Sequence, residues 1–531
     1  MPKTYDALIL GGGHNGLACA AYLAKAGRSV LVLERRHLVG GAAVTEEVYP
    51  GFKFSVCSYV VSLLRPQVIS ELDLPRHGLE ILPLDGTLTP LPDGDYLMRW
   101  HDAGDTRREL ERHSKADAAA YGRFGQLLYH LAKTVRPILG LRPPDPFSFR
   151  PSQLRRMLEV GKTFAKNGEH LHDLARLMTM SSADFVEEWF ETEALRGTLA
   201  ASGIIGTFLG PRSPGSAYVM LHHYMGEIDG QFRAWGFPRG GMSGVSEAIA
   251  GAARRYGAEI RTEAPVAQIL VKDGRTTGVV LEDGEEVRGR VVVSSLDPKL
   301  TFERLIEPEH LDPDFRQQIA RYKIRGSSGK VNLALDALPE LACLKNARNG
   351  HPPEAYLGGA LSISPSVDYL ERAYDDAKYG RFSRRPYMDI ILPSVVDPSM
   401  APPGKHVMSI FVQYAPYQLA EGSWEDQREA FGDAVIDTLA EYIPNLKDVL
   451  LHRQVVTPWD LEQKFGLTQG NIFHGELTLE QLFFLRPAAR WADYDTPIRD
   501  LYLCGSATHP GGGVMAAPGQ LAAERILKDG R

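Results

Sequence analysis

The feature that most restricts this chain stands at its start, where a short apolar run at residues 6–10 leads straight into Gly11-Gly12-Gly13-His14-Asn15-Gly16. The glycines follow G-x-G-x-x-G at the end of a predicted strand. Leu17, Ala20, Ala21, Leu23 and Ala24 then suit one packed helix that stops at Gly27. A second apolar run, Ser29–Leu33, ends in Glu34. Strand, tight turn, helix, strand and acid in that order predict the opening unit of a dinucleotide-binding α/β fold. Gly11 permits the turn, Gly13 lets a pyrophosphate approach the backbone, and Gly16 lets helix and strand pack closely. The helix N-terminus faces the phosphates. Glu34 accepts ribose hydroxyls and would repel a 2′-phosphate, so FAD or NAD fits better than NADP. The glycine spacing alone is also an ordinary turn; the strand and acid around it give it weight. A second glycine pair, Gly40-Gly41, stands where the backbone could again run against the cofactor.

A nicotinamide-linked flavoprotein would carry a second fingerprint. The nearest candidate, Arg239–Gly244, follows Trp235-Gly236-Phe237-Pro238, which does not read as a strand, and its glycine spacing differs. It precedes a helix-like stretch, Val245–Tyr256, and then β-rich runs at Ala258–Thr262, Val266–Leu270, Gly278–Leu281 and Val291–Val293 with Asp-Gly turns at 273 and 283. These read as a returning part of the first domain. At the C-terminal end Leu501–Gly505 reads as a strand into a turn, followed by Gly511-Gly512-Gly513 opening a last helix whose N-terminus would face an anionic group.

With 531 residues the chain exceeds one core, and its 24% charged and 44% hydrophobic residues are those of an ordinary globular protein. A net charge of −7 without a Lys/Arg-rich run disfavours nucleic acid as a partner. No apolar stretch is long enough to span a membrane, and the start of the chain leaves no room for a signal peptide. The expectation is a cytoplasmic protein, or a matrix one in a mitochondrion. Cys19, Cys57, Cys343 and Cys504 are too scattered for a disulfide framework or a Cys-x-x-Cys centre. His222-His223 and His170-Leu171-His172 lack further ligands, so no metal site is expected, and no G-x-S-x-G elbow is present.

Taken together, the Gly11–Gly16 motif with Glu34 and Gly40-Gly41, the Phe237–Gly244 segment and Leu501–Gly519 resemble the carotenoid and retinoid oxidoreductases, the phytoene desaturase-like flavoproteins, over essentially the whole chain. The β-carotene ketolase branch is among the similar ones. The resemblance implies a Rossmann-like FAD domain of the glutathione reductase type with an inserted α+β substrate domain. It implies FAD contacts at Gly11, Gly13, Gly16, Glu34, Arg35, Gly40, Gly41, Val266, Gly505, Gly513, Val514 and Met515. One departure is visible at Met515-Ala516, where relatives tend to carry a glycine after the methionine.

The expected FAD domain is discontinuous, residues 1–60, 236–300 and 490–531, with the substrate domain at 61–235, mainly helical, and 301–489. Strand-like runs in the latter are Lys330–Leu335, Met388–Leu392 and Val407–Tyr414. The resemblance puts Gly470–Glu476 and Gln481–Pro487 at the cavity wall, with His474 and Arg486 as candidate catalytic groups or else structural hydrogen-bonding residues. Leu154, Met157, Leu158, Gly161 and Phe164, interleaved with Arg155, Arg156, Lys162 and Lys166, form an amphipathic basic helix. Such a helix packs its apolar face on the core or lies on a membrane surface; the core reading is preferred. The expected activity is FAD-dependent oxidation of an apolar, polyprenoid-like substrate; the alternative is a flavin-binding protein with an interaction or regulatory role.

Overall fold

The computed structural model describes residues 3–166, 168–228, 230–346 and 351–531. Strand β1 (Thr4–Leu10), helix α1 (His14–Lys25) and strand β2 (Val30–Leu33) form where the sequence pattern puts them. All four residues of β2 and the last four of β1 are buried, as expected of parallel strands covered on both faces. The helix Pro151–Lys166, α2, lies in the next part of the chain, and α3 (Ser243–Arg255) in the middle. Strand β3 (Glu286–Ser294) pairs in parallel with β1, and β4 (Leu501–Leu503) pairs in parallel with β3. Glu259–Arg261 flanks β2, and an antiparallel meander, Val266–Lys272 and Arg275–Leu281, extends the sheet beyond β3. The last helix, α4 (Ala517–Lys528), and α3 pack against α1.

This is the predicted Rossmann-like α/β architecture: one sheet collects strands from the start, middle and end of the chain. The consequence is that the loop after β1, the end of β3 and the segment after β4 meet at one edge. Gly16 illustrates the closeness required. A Cβ there would stand 2.2 Å from the Gly11 carbonyl oxygen and 3.0 Å from Ser295 Oγ, so only glycine lets α1 seat against β3.

A second sheet has the order Leu450–Val456, Ser328–Leu335, His406–Gln413, Tyr387–Ile391, Ala360–Ile363, Gly86–Pro90, Tyr96–Trp100. Its last two strands come from residues 61–235, which the sequence presents as mainly helical. Most of that stretch is indeed helical, but the hairpin at 86–100 joins partners about 270 residues later through a parallel pairing, Ala360 to Thr87.

Three expectations need correction. Gly236–Pro238 is a strand, although a short one that pairs antiparallel with Ile81–Pro83 and stands outside the parallel sheet. The glycines Gly511–Gly513 do not open the last helix: α4 begins at Ala517, and Gly513 (φ 115°), Val514 (φ 56°) and Ala516 (φ 60°) form an irregular turn before it. Helix α2 does not bury its apolar face. None of its residues whose side chains are described is fully buried, and Leu158 is 67% exposed. The side chain of Lys166 lies outside the described residues. Among the described residues no helix is long and apolar enough to cross a membrane.

Candidate functional site

A cavity of about 870 Å³ opens along the edge where the fold brings the three chain segments together. That is at the upper end for cofactor and ligand sites. Gly11, Gly13, Gly16, Glu34, Arg35, Gly40, Gly41 and Val266 all line it. The first turn of α1 enters the cavity. Gly13 is its N-cap in an extended conformation and no side chain caps it, so its leading N–H groups remain available to a ligand. Gly41 comes against Gly13, a Cβ on the former being 3.2 Å from the Cα of the latter, which brings both glycine stretches to one wall.

Glu34 is nearly buried at the end of β2. Its Oε2 accepts from the Gly12 N–H at 2.7 Å and its Oε1 from the Arg36 N–H at 2.9 Å. These bonds hold the carboxylate still while leaving lone pairs for ligand hydroxyls. Arg35 donates to the Gln463 carbonyl at 3.0 Å, and Arg36 pairs with Glu46 at 2.9 Å over the ring of Phe465.

Four polar atoms of cavity-lining residues are buried without a partner among the described residues: His14 Nε2, Asn15 Oδ1, Arg36 Nη1 and His474 Nδ1. Buried polar groups are normally satisfied, so this convergence fits a large ligand carrying both donors and acceptors. Burial depresses His14 and His474 to a pKa of about 4, with the field of His474 adding to the effect on His14, so both rings are neutral hydrogen-bonding groups at neutral pH. Anionic phosphates beside the α1 N-terminus and Arg36, ribose hydroxyls at Glu34 and a heterocycle between the neutral imidazoles are the chemistry these donors and acceptors match. A flavin dinucleotide has all three.

The other expected residues are distributed differently. Gly513 and Val514 line a second, apolar chamber of about 120 Å³ together with Tyr59, Ile205, Trp235, Phe411 and Phe473. His14, Ala42, Ile472 and Ser506 line both spaces, so the chamber adjoins the cavity there. Gly505 lies behind the wall, against the Ser295 carbonyl, and Met515 faces a narrow slot beside Arg65. Neither lines the large cavity.

Arg486 reaches neither space. It is fully buried, and its guanidinium donates to the carbonyls of Phe473, Gly475, Glu476, Gln481 and Ser506. It is a clamp that fixes the 473–486 loop and the segment after β4, not a group that meets a ligand. His474 does reach the cavity. Its turn is organised by Asn471, whose Oδ1 accepts from the Phe473 and Gly475 N–H groups at 2.9 Å each.

Sequence reasoning missed Lys330. It lies on the strand Ser328–Leu335, buried along its whole length, lines the apolar chamber and is only 2% exposed. Its ammonium donates to the Cys57 carbonyl at 2.9 Å, sits 4.3 Å over the Tyr59 ring and has no ion-pair partner among the described residues. Desolvation pushes its pKa down to about 7. Tyr59 donates in turn to Asp389 at 2.6 Å, and burial raises that carboxyl to about 6. The signal was present: a lysine at the head of an apolar strand run has to be solvated by something.

A model of the family described as flavin containing amine oxidoreductase matches residues 16–527. Rat pyridine nucleotide-disulfide oxidoreductase domain-containing protein 2 is 41% identical, covering 99% of this chain and 94% of its own length. A limonene dehydrogenase subunit of Castellaniella defragrans is 26% identical over 99% of this chain and 95% of its own. Among solved structures, wild-type putrescine oxidase bound to putrescine superposes with a TM-score of 0.60 at 17% identity, covering 100% of this chain and 99% of the other.

Proposed function

The chain belongs to the flavin containing amine oxidoreductase family and is an FAD-dependent oxidoreductase; from that premise we propose that it oxidises an apolar, terpenoid or polyprenoid-like molecule. The observation that carries the proposal is the adjoining of an apolar chamber to the dinucleotide cavity across His14, Ala42, Ile472 and Ser506. When bound, FAD supplies the two-electron acceptor, taking a hydride at N5. The chain's own residues then have four tasks. Glu34 binds the adenosine ribose, and the Gly11–Gly16 turn with Gly40-Gly41 binds the pyrophosphate at the N-terminus of α1. Gly513 and Val514 line the chamber and would meet the flavin ring there. Tyr59, Trp235, Phe411 and Phe473 exclude water from the substrate.

Lys330 is the fourth element. A two-electron oxidation that removes a hydride must also release a proton, and of the buried bases lining the chamber Lys330 is more basic than the His14 and His223 imidazoles. Its amine is neutral above about pH 7. At about 120 Å³ the chamber is smaller than a cavity that holds benzene, so it takes one end of a longer chain. The 26% identity to a protein named for limonene oxidation supports an apolar hydrocarbon substrate.

Anaerobic mixing of the purified yellow protein with a panel of terpenes, polyprenols and carotenoids tests the reading. Bleaching of the flavin by an apolar member, slowed in Lys330→Met, is the predicted result. Bleaching only by polar amines such as putrescine would overturn it.

A further inference from the structure

The segment leading into α2 and the outer face of α2 carry apolar side chains in the wrong place for a protein that stays in water. Phe147 is 81% and Phe149 88% exposed, and Leu154 and Leu158, one helical turn apart on one face of α2, are exposed as well. The helix is not adrift: Arg156, on its inner face, donates to Asp493 at 2.7 Å, and Phe164 packs against the main core. The outward direction of Leu154 and Leu158 is therefore fixed by the side that is anchored. Isolated exposed leucines are normal, but two phenylalanines and two leucines on one short segment form a patch.

The charges around that patch select its partner. Between residues 145 and 165 stand four basic side chains against two acidic ones, in a chain whose net charge is −7. Arg150 and Lys162 are exposed and carry no ion pair among the described residues. A second copy of the chain is a poor fit, because four apolar side chains fall far short of the roughly 800 Å² per partner of a stable dimer. Inserted aromatics flanked by cations are instead what holds an amphipathic helix at a lipid surface. We propose that Phe147, Phe149, Leu154 and Leu158 dock the protein on an anionic bilayer surface, with Arg150 and Lys162 meeting lipid phosphates. The proposal is independent of the substrate reading, although a surface-docked enzyme would draw an apolar substrate from the lipid.

Flotation of the FAD-loaded protein with vesicles of phosphatidylcholine, alone and mixed with phosphatidylglycerol, tests it. The expected result is flotation with the anionic vesicles, reversed by salt. Phe147→Ser with Phe149→Ser should lower the bound fraction by about tenfold or more. Arg150→Glu with Lys162→Glu should abolish the preference for anionic lipid. Retained flavin absorbance reports that each variant is folded, since none of these residues lines the cavity or the chamber. Failure of the wild type to float, or variants that float as it does, overturns the proposal. So does a dimer in solution that the serine variants convert to monomer, which would assign the patch to a second copy.

Discussion

Glu34 and Lys330 stand at opposite extremes of what single residues disclose. Glu34 is legible because its position relative to Gly11–Gly16 is dictated by the length of one strand-helix-strand unit. A buried hydrogen bond to a charged group is worth about 1.5–3 kcal/mol, so Glu34→Ala should weaken FAD binding by that amount in a titration of apoprotein. Glu34→Gln, which keeps one acceptor oxygen, should lose less. Unchanged affinity in the alanine variant would remove Glu34 from the ribose. The charge of Lys330 at the head of its strand run was visible, but its burial was not, because strand periodicity reports faces and not whether both faces are covered. Its depressed pKa gives a signed prediction. Below about pH 7 the amine is charged in both the folded and unfolded chains, and the folded state bears the whole burial penalty. As pH rises from about 7 towards the unfolded value near 10.4, only the unfolded chain holds the proton, and the folded state gains up to about 1.4 kcal/mol per pH unit. Denaturation of wild type and Lys330→Met over that range should diverge accordingly; parallel curves would mean that Lys330 is solvated.

At the scale of elements, β1, α1 and β2 were readable because each is local and the strand, turn and helix signals agree. The hairpin at 86–100 was not, since its place in a sheet depends on partners from residues 360–391 that no local pattern announces. Helix α2 shows a third case. Its amphipathic spacing is plain, yet spacing does not say which neighbour lies beside which stripe, and here the Arg156–Asp493 pair turned the Leu154 and Leu158 side outward. The 473–486 loop is bridged to the segment after β4 by Arg486, whose guanidinium reaches carbonyls on both. Replacing Arg486 with Met strands the buried carbonyls of Phe473, Gly475, Gln481 and Ser506, each costing about 1–3 kcal/mol if left unsatisfied, while that of Glu476 keeps the Gln481 amide. The expected outcome is a loss of about 3 kcal/mol or more and release of flavin at lower temperature. A variant as stable as wild type, with only turnover affected, would return Arg486 to the chemistry.

For the whole molecule, the arrangement provides one strand-turn-helix cradle and one apolar chamber. The described residues hold no second cradle: Arg239–Gly244 follows a short antiparallel strand, and Gly511–Gly513 ends four residues before α4. All four cysteines are buried and free, and the Cys19 and Cys504 thiols lie within hydrogen-bonding reach of one another. NADH and NADPH should therefore reduce the flavin poorly in anaerobic stopped-flow mixing. Saturable bleaching at about 1 per second or faster would show a nicotinamide using the chamber without a fingerprint. The direction in which the cofactor lies decides which residues meet the flavin ring, and the most direct measurement is an experimental structure of the FAD-bound protein. It should place the adenosine ribose at Glu34 and the flavin ring at the wall formed by His14, Ile472 and Ser506, with its face or edge open to the chamber beside Lys330. A ring directed away from that wall, or a reversed cofactor with adenine at His14, would contradict it.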